Sequence, residues 1–351
     1  MKKSLILLAG LLLALLATGI PAHSGGGTVA YLPLVTAPQP DTDPVLEVEP
    51  QSREASRQFF LDVYLPSEGA QAGWSGNHNA CDAGGTAQAF RDALLLRLNY
   101  FRAMAGVPAL DGLNDEYNHK AQQAALMMSA NGSLSHTPPA HWRCYTEEGA
   151  QAAGSSNLFL GVYGPAAIDG YVRDPGGGNY PVGHRRWILY PPTRMMGSGD
   201  VPPADGYPAA NALWVFDADR RPTRPATREP YVAWPPPGYV PYQVVFPRWS
   251  LSYPGADFEQ AAVSMTHDGA PLSLAVRPVV VGYGENTLVW EPQTDFGSAP
   301  AADVTFTVTV SNVLVDGAPR SFAYSVVMYD PQAGAAPETL FGELGPALRW
   351  R

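Results

Sequence analysis

The sequence Gly183-His184-Arg185-Arg186-Trp187-Ile188-Leu189 places a histidine directly before an aromatic and aliphatic run. Such a run predicts a buried strand, Trp187-Ile188-Leu189-Tyr190, with the His184 ring held at its mouth. A second histidine, in Ser135-His136, follows a predicted helix earlier in the chain. An isolated histidine is more often a structural residue that is hydrogen-bonded in a loop. His184 therefore becomes a candidate site residue only through its neighbours.

The length and composition predict an exported protein with two folded domains. The chain has 351 residues, of which 46% are hydrophobic, enough for two cores with terminal tails. The formal net charge of −10 leaves no basic surface for a phosphate backbone, so we expect no nucleic-acid partner. Residues 1–22 have the charged, apolar and small-residue zones of a secretory signal peptide. A retained N-terminal membrane anchor is the alternative, although the apolar run is short for a spanning helix.

Cys81 and Cys144 are the two cysteines of the chain. In an exported protein such a pair predicts one disulfide bond. A zinc site would need more thiols or a closer spacing, and a nucleophilic cysteine would not need a second thiol.

Hydrophobic spacing predicts the elements of the N-terminal half. Residues 23–57 are rich in Gly, Pro and Asp and predict a flexible linker. Apolar residues at helical spacing from Phe90 to Ala105 predict one helix, with Thr86 as its cap. Asn114 is expected to cap a second helix that ends at Gly132. Further predictions are a loop over residues 142–156, a strand or the start of a helix at 157–163, a helix at 168–172, and strands at 196–199 and 212–216.

The C-terminal part has a different pattern. An Arg- and Pro-rich stretch at 217–237 marks a boundary. Beyond it, Val304, Phe306, Val308 and Val310 alternate with polar residues, which is typical of a half-buried strand, and Asp316-Gly317 is a turn signal. Residues 222–332 therefore predict an antiparallel, immunoglobulin-like β-sandwich, and residues 333–351 a tail.

Three landmarks of the first half resemble a known family. Leu98-Asn99-Tyr100-Phe101-Arg102-Ala103-Met104-Ala105-Gly106-Val107-Pro108 resembles the first-helix signature of the CAP superfamily, the cysteine-rich secretory, antigen-5 and pathogenesis-related proteins. Ser135-His136 and Gly183-His184 follow in the family's order. The resemblance covers residues 88–216 and suggests a secreted CAP protein of the bacterial type. It implies the fold class α+β, with a three-layer α-β-α CAP domain over residues 58–218 before the β-sandwich.

The resemblance also implies a cleft in which two histidines and two acids meet. The histidines are His136 and His184, and Asp174, three residues after Tyr171, takes the place of the second acid, which is usually Glu. The first acid belongs to a Gly-Glu-Asn triplet, where this sequence has Ser156 instead.

Three further glutamates lie at positions relevant to the missing acid. Glu147 or Glu148 could reach the cleft from the predicted loop. Gly284-Glu285-Asn286 spells the triplet but lies in the β-rich region, where we interpret it as a turn. Four further histidines, His78, His119, His141 and His267, have no partner at an informative spacing and are expected at the surface.

Two imidazoles and a carboxylate suit a divalent cation such as Zn²⁺, with an open position for water. A polar network that orders the cleft loops without metal is the alternative, and the loss of a carboxylate at Ser156 favours it. Arg185 and Arg186 are expected to pair with the surplus acids rather than to bind an anionic ligand.

Three functions are compatible with these features. The first is an exported, non-enzymatic binding protein, with a lipid, peptide or glycan ligand and an association with the cell envelope. The second is a metal-dependent hydrolase in which His136, His184 and Asp174 hold the cation. The third is a structural or adhesion protein that works through the β-sandwich, so that deletion beyond Pro222 would abolish surface retention. We favour the first because of the export signal, the ordered family landmarks and the incomplete set of acids. The sequence also has neither a His-Glu-x-x-His nor a Gly-x-Ser-x-Gly motif.

Overall fold

Residues 46–333, the part of the chain that the computed structural model describes, form α-helices in the first half and three sheets, two of them in the second half. The α-helices are α1 (Arg53–Phe59), α2 (Gln88–Met104), α3 (Asp115–Asn131), α4 (Glu147–Ser155), α5 (Pro165–Arg173) and α6 (Gly183–Ile188). The strands are β1 (Gly112–Leu113), β2 (Ser156–Leu160), β3 (Met195–Val201), β4 (Ala210–Trp214), β5 (Val232–Trp234), β6 (Gly238–Pro241), β7 (Trp249–Tyr253), β8 (Ala262–His267), β9 (Ala270–Pro271), β10 (Leu274–Val276), β11 (Asn286–Pro292), β12 (Val304–Val315) and β13 (Ala318–Tyr329). The predicted signal peptide and all but the first residue of the predicted tail lie outside the described residues. The fold class is α+β, as predicted.

The first half is a three-layer sandwich, which confirms the predicted α-β-α arrangement. Its sheet has the strand order β1-β3-β4-β2, in which only the β1 and β3 pair is parallel. Along β4, Leu213 packs into the cluster that contains α2 and α5, whereas Ala212 and Trp214 pack into the cluster of α3 and α4. This alternation follows from the period of two along a strand, and it buries both faces of the sheet under helices.

Helix α3 lies very close to the sheet. A Cβ atom at Gly199 of β3 would come within 2.1 Å of the backbone of Ala121, so only glycine allows this approach. The helix begins as predicted, because the Asn114 side chain accepts a hydrogen bond from the amide of Tyr117, and it ends at Gly132 with φ of 57°. Helix α2 also occupies its predicted position, but its N-cap is Ala87 rather than Thr86.

Two local predictions are wrong. Residues 147–155, expected to be loop, form α4, because the Thr146 side chain accepts a hydrogen bond from the amide of Gly149 and two acids follow it. Helix α4 carries small residues instead of an apolar stripe, so the spacing of its apolar residues did not predict a helix. Residues 187–190, expected to be a strand, include the end of α6. A short apolar run does not distinguish a buried strand from a buried helical turn.

The ordered chain begins earlier than the linker prediction allows. Helix α1 starts at Arg53, capped by the Ser52 side chain, so the last five residues of the predicted linker at 23–57 are helical. The Ser56 hydroxyl donates to the carbonyl oxygen of Tyr239 at 2.8 Å, and Arg53 forms an ion pair with Asp303 at 2.9 Å. Helix α1 therefore packs against the C-terminal region, although it precedes the CAP-like part in sequence.

The C-terminal region is a β-sandwich of two sheets, with strand orders β10-β11-β7-β5 and β6-β13-β12-β8-β9. The turn at Asp316-Gly317 joins β12 to β13, as predicted. The predicted antiparallel pairing holds except for β6, which runs parallel to β13. Trp249 from one sheet meets Phe306 from the other, with 5.5 Å between ring centroids. Among residues 46–333, none of the helices has the length and apolar content that a membrane span requires.

One apolar core connects the two halves. A single cluster of buried side chains includes Leu94, Phe101 and Ile168 together with Trp234 and Trp249 of the sandwich. The rings of Phe101 and Trp234 are 5.1 Å apart between centroids. The Arg- and Pro-rich stretch therefore marks a change in composition, but it does not separate two cores.

The predicted disulfide between Cys81 and Cys144 is confirmed. It joins the segment before α2 to the segment before α4. Beside it, His78 is buried, with 1% of its surface exposed, so its predicted surface position is wrong. Its Nε2 atom is 2.8 Å from the Ser129 hydroxyl, and burial lowers the pKa of the imidazole, which keeps it neutral.

Candidate functional site

A cleft of about 340 Å³ lies where β2, α6 and a loop of the sandwich meet. Three of the four predicted site residues, His136, Ser156 and His184, line this cleft. The other lining residues are Gly154, Asn157, Gly178, Asn179, Pro181, Gly183, Trp187, Val215, Phe216 and Tyr283. The fourth predicted residue, Asp174, does not line it.

Asp174 is buried behind His184 and fixes its position. It ends α5 in the left-handed conformation, with φ of 53°, and 1% of its surface is exposed. One carboxylate oxygen is 2.7 Å from Nδ1 of His184, and the other accepts the backbone amide of His184 at 3.1 Å. Since both oxygens bind the same histidine, Asp174 positions the imidazole rather than facing the cleft.

His136 is held by the end of helix α4. Its Nδ1 atom is 2.8 Å from the carbonyl oxygen of Ala153, in the last turn of the helix, where carbonyl groups lack partners within the helix. A carbonyl or carboxylate oxygen can only accept, so Nδ1 carries the proton in both His136 and His184. In each ring Nε2 is then the atom with a free lone pair. Within residues 46–333, no protein hydrogen bond reaches either Nε2 atom.

Ser156 and Asn157 bring the start of strand β2 into the cleft. The Ser156 hydroxyl is buried, and no described residue is its hydrogen-bond partner. The Asn157 side chain donates to the backbone carbonyl oxygen of His184 at 3.2 Å. The backbone carbonyl of Asn157 accepts from the Tyr171 hydroxyl at 3.0 Å. Strand β2 is therefore joined directly to helices α5 and α6.

The two arginines after His184 have a role that the sequence did not suggest. Arg185 donates to the carbonyl oxygen of Val172 at 2.6 Å and to the Ser250 hydroxyl at 3.0 Å. Arg186 donates to the carbonyl oxygens of Val280 and Glu285 at 2.8 and 2.9 Å. Burial lowers the pKa of Arg185 to about 9 and that of Arg186 to about 10. The predicted pairing with acids is wrong, since both side chains bind polar groups of the sandwich region.

The sandwich also contributes Arg248 and Tyr283 to the site. Arg248 donates to the carbonyl oxygen of Asp174, and to that of Gly176 at 2.7 Å. A Cβ atom at Gly183 would lie 2.9 Å from the Tyr283 ring, which therefore packs on the first turn of α6. Both residues were missed because they lie far downstream in a region interpreted as a separate domain.

None of the other acids considered reaches the cleft lining. Glu148 lies near the start of α4, where it accepts a hydrogen bond from Gln123 at 2.6 Å. Glu285, in the second triplet, is paired with Arg224 at 2.6 Å. Within residues 46–333, no three His, Cys, Asp or Glu side chains are grouped so as to hold a metal ion.

Comparison with known proteins agrees with this architecture. Residues 95–217, about a third of the chain, match the family model described as CAP, the cysteine-rich secretory protein family. These residues form a CAP domain. The match includes all four predicted site residues and confirms the resemblance read from the sequence. It ends before the β-sandwich. No curated protein matches the chain.

Proposed function

We propose that this chain is a secreted, non-enzymatic binding protein whose CAP cleft takes a small ligand. The main support is a cleft of about 340 Å³, within the ~300–1,000 Å³ range of small-molecule sites. The nearby acid, Asp174, positions His184 and does not line this cleft. The disulfide between Cys81 and Cys144 and the predicted leader favour secretion. The sandwich, which forms one wall through Tyr283, would also serve attachment to the cell envelope.

The strongest argument for an enzyme is the pair of His184 and Asp174. A carboxylate bound to Nδ1 leaves Nε2 able to take a proton, as a general base does. A nucleophile should lie within hydrogen-bond reach of that atom, yet the Ser156 hydroxyl bonds to neither imidazole. The geometry therefore supports binding better than acyl transfer.

Hydrolysis assays test this proposal. With fluorescein-labelled casein and p-nitrophenyl acetate, we expect the wild type, His136→Ala and His184→Ala to give the same background rate. His267→Ala, which removes a partly exposed histidine of the sandwich, is the matched control. A rate that is lost in both cleft variants but retained in His267→Ala would show that the protein is an enzyme.

Metal binding is a second candidate, favoured by the orientation of the two imidazoles. Zinc-binding histidines usually donate their other ring nitrogen to a carboxylate or backbone carbonyl, as His184 and His136 do to Asp174 and Ala153. The two imidazoles offer a divalent cation two nitrogen ligands, whereas zinc sites in proteins use three or four protein ligands. The position that would supply the next ligand is Ser156.

Ser156→Glu should therefore raise the affinity for Zn²⁺ by about tenfold or more, which corresponds to ~1.4 kcal/mol, because it adds a carboxylate to the cleft lining. Ser156→Gln, of the same size without the charge, is the control. Calorimetric titration of chelator-free protein with zinc chloride gives the affinities, and His136→Ala should abolish the gain. Equal affinities in the Glu and Gln variants would exclude a metal site at these imidazoles.

A further inference from the structure

The cleft lining is uncharged. Of the described residues that line it, none is Asp, Glu, Lys or Arg, and the neighbouring charged groups are bound elsewhere, as Arg185, Arg186 and Asp174 are. A charged ligand would lose its hydration here without gaining a counter-charge. An anionic one would also meet a protein whose formal net charge is −10. The lining therefore selects a neutral ligand.

Three aromatic rings contribute to the apolar part of the lining, beside Pro181 and Val215. Trp187 and Phe216 meet edge to face, with 4.8 Å between centroids. Phe216 is 46% exposed and Tyr283 is 38% exposed, so both rings are accessible to a ligand. The Tyr283 ring is fixed from behind by Gly183 and by the Arg186 guanidinium, 5.4 Å from its centroid. Rigid, exposed aromatic rings in a cleft provide flat apolar surfaces for a ligand with a flat apolar face.

Among the described residues, several polar side-chain atoms of the lining have no protein hydrogen-bond partner. They include Nε2 of His136, Nε2 of His184 and the hydroxyl of Ser156. A hydrocarbon chain would cover these atoms without bonding to them, and an unsatisfied buried polar group is unfavourable. In the neutral imidazoles the two Nε2 atoms are acceptors, so they favour a ligand that donates hydrogen bonds. Hydroxyl groups next to apolar ring faces are the chemistry of a pyranose.

We propose that the cleft binds a neutral oligosaccharide. One sugar ring stacks on Phe216 and Tyr283, and its hydroxyl groups donate to Nε2 of His136 and of His184. This assignment rests on the proposed binding function and adds the ligand class to it. It also gives the sandwich a part in recognition, because Tyr283 comes from the sandwich and not from the CAP domain.

The test uses four neutral probes with the full chain. Cellotetraose, xylotetraose, mannotetraose and tetra-N-acetylchitotetraose are titrated calorimetrically into wild type, Phe216→Ala and Tyr283→Ala. We expect at least one probe to bind with a dissociation constant below ~1 mM, and each alanine variant to bind it about tenfold more weakly.

Two controls separate stacking from general effects on the fold. Tyr283→Phe keeps the ring and should bind within about twofold of the wild type. Val281→Ala changes a side chain on the same loop that is 66% exposed and does not line this cleft, so its affinity should be unchanged. Thermal melting of each variant checks that the fold is intact.

Other outcomes overturn the ligand class or the whole proposal. If none of the four sugars binds, or if binding ignores both alanine substitutions, the oligosaccharide assignment is wrong. Sodium palmitate and a random hexapeptide library are tested in parallel. Binding of either one that depends on Phe216 and Tyr283 would replace the ligand class and leave the binding function standing. If no probe depends on the cleft, the proposed binding function fails as well.

Discussion

A fragment that ends at residue 219 should not fold, although it contains the entire CAP domain. Its core would lose the side chains that cover Phe101 and Leu189, which belong to the same buried cluster as Trp234, Trp249 and Leu251. Each large apolar side chain that returns to water costs ~1.5–3 kcal/mol. A few of them exhaust the ~5–15 kcal/mol of stability that a folded protein has.

Polar contacts across the same interface add to this expectation. Without the sandwich, Arg185 would lose the Ser250 hydroxyl, and the carbonyl oxygens of Asp174 and Gly176 would lose Arg248. Each such hydrogen bond contributes ~0.5–1.5 kcal/mol net, and more where a charged group takes part. Deletion beyond Pro222 would therefore not test a separate adhesive function of the sandwich, because it would unfold the CAP domain at the same time.

The full chain should accordingly unfold in one calorimetric transition. Trp234→Ala should lower the free energy of unfolding by ~3–5 kcal/mol and shift the whole transition, because the indole is fully buried against Phe101. Trp234→Phe, which keeps an aromatic ring there, should cost less. Two separate transitions, of which only the second responds to the Trp234 substitutions, would mean that the halves fold independently. A truncated CAP fragment that melts cooperatively would mean the same.

The long helices and the sandwich strands could be predicted because their burial is periodic. Helix α3 shows its cap at Asn114 and its end at Gly132 in the sequence itself. Helix α4 could not be found this way, since its buried residues are small and its cap, Thr146, is not followed by an apolar stripe. In α6 the apolar residues are too few to distinguish a helical from an extended period.

The site was predictable in part for a different reason. His136 and His184 were selected through the family resemblance, and the structure places both along one cleft. The orientation of the Asp174 carboxylate could not be predicted from the sequence, because residue spacing does not show which donors its two oxygen atoms bind. The roles of Tyr283 and Arg248 could not be predicted either, since contacts between residues far apart in sequence leave no local pattern.

Asp174→Ala should destabilise the protein by about 4–8 kcal/mol, the largest effect expected from any single substitution at the candidate site. Two hydrogen bonds from His184 to a charged acceptor would be lost, and such bonds contribute ~1.5–3 kcal/mol each. Alanine would also occupy a backbone conformation with φ of 53°, which costs ~1–2 kcal/mol for residues other than Gly, Asn and Asp. Urea unfolding at pH 7 gives the difference, and His184→Ala serves as a reference that removes only the side-chain partner.

Asp174→Asn separates the positioning role from the effect on the backbone. Asparagine tolerates the left-handed conformation, and its amide oxygen can accept from one of the two His184 donors but not from both. We expect a smaller loss of about 1–2 kcal/mol, together with partial loss of the Nδ1-protonated form of His184 in long-range ¹H–¹⁵N spectra. Nε2 of His184 should then be a free acceptor in only part of the population. Any ligand that donates a hydrogen bond to this atom would therefore bind more weakly. Unchanged ring-nitrogen shifts in the Asn variant would mean that Asp174 maintains the backbone of α5 and does not set the state of the imidazole.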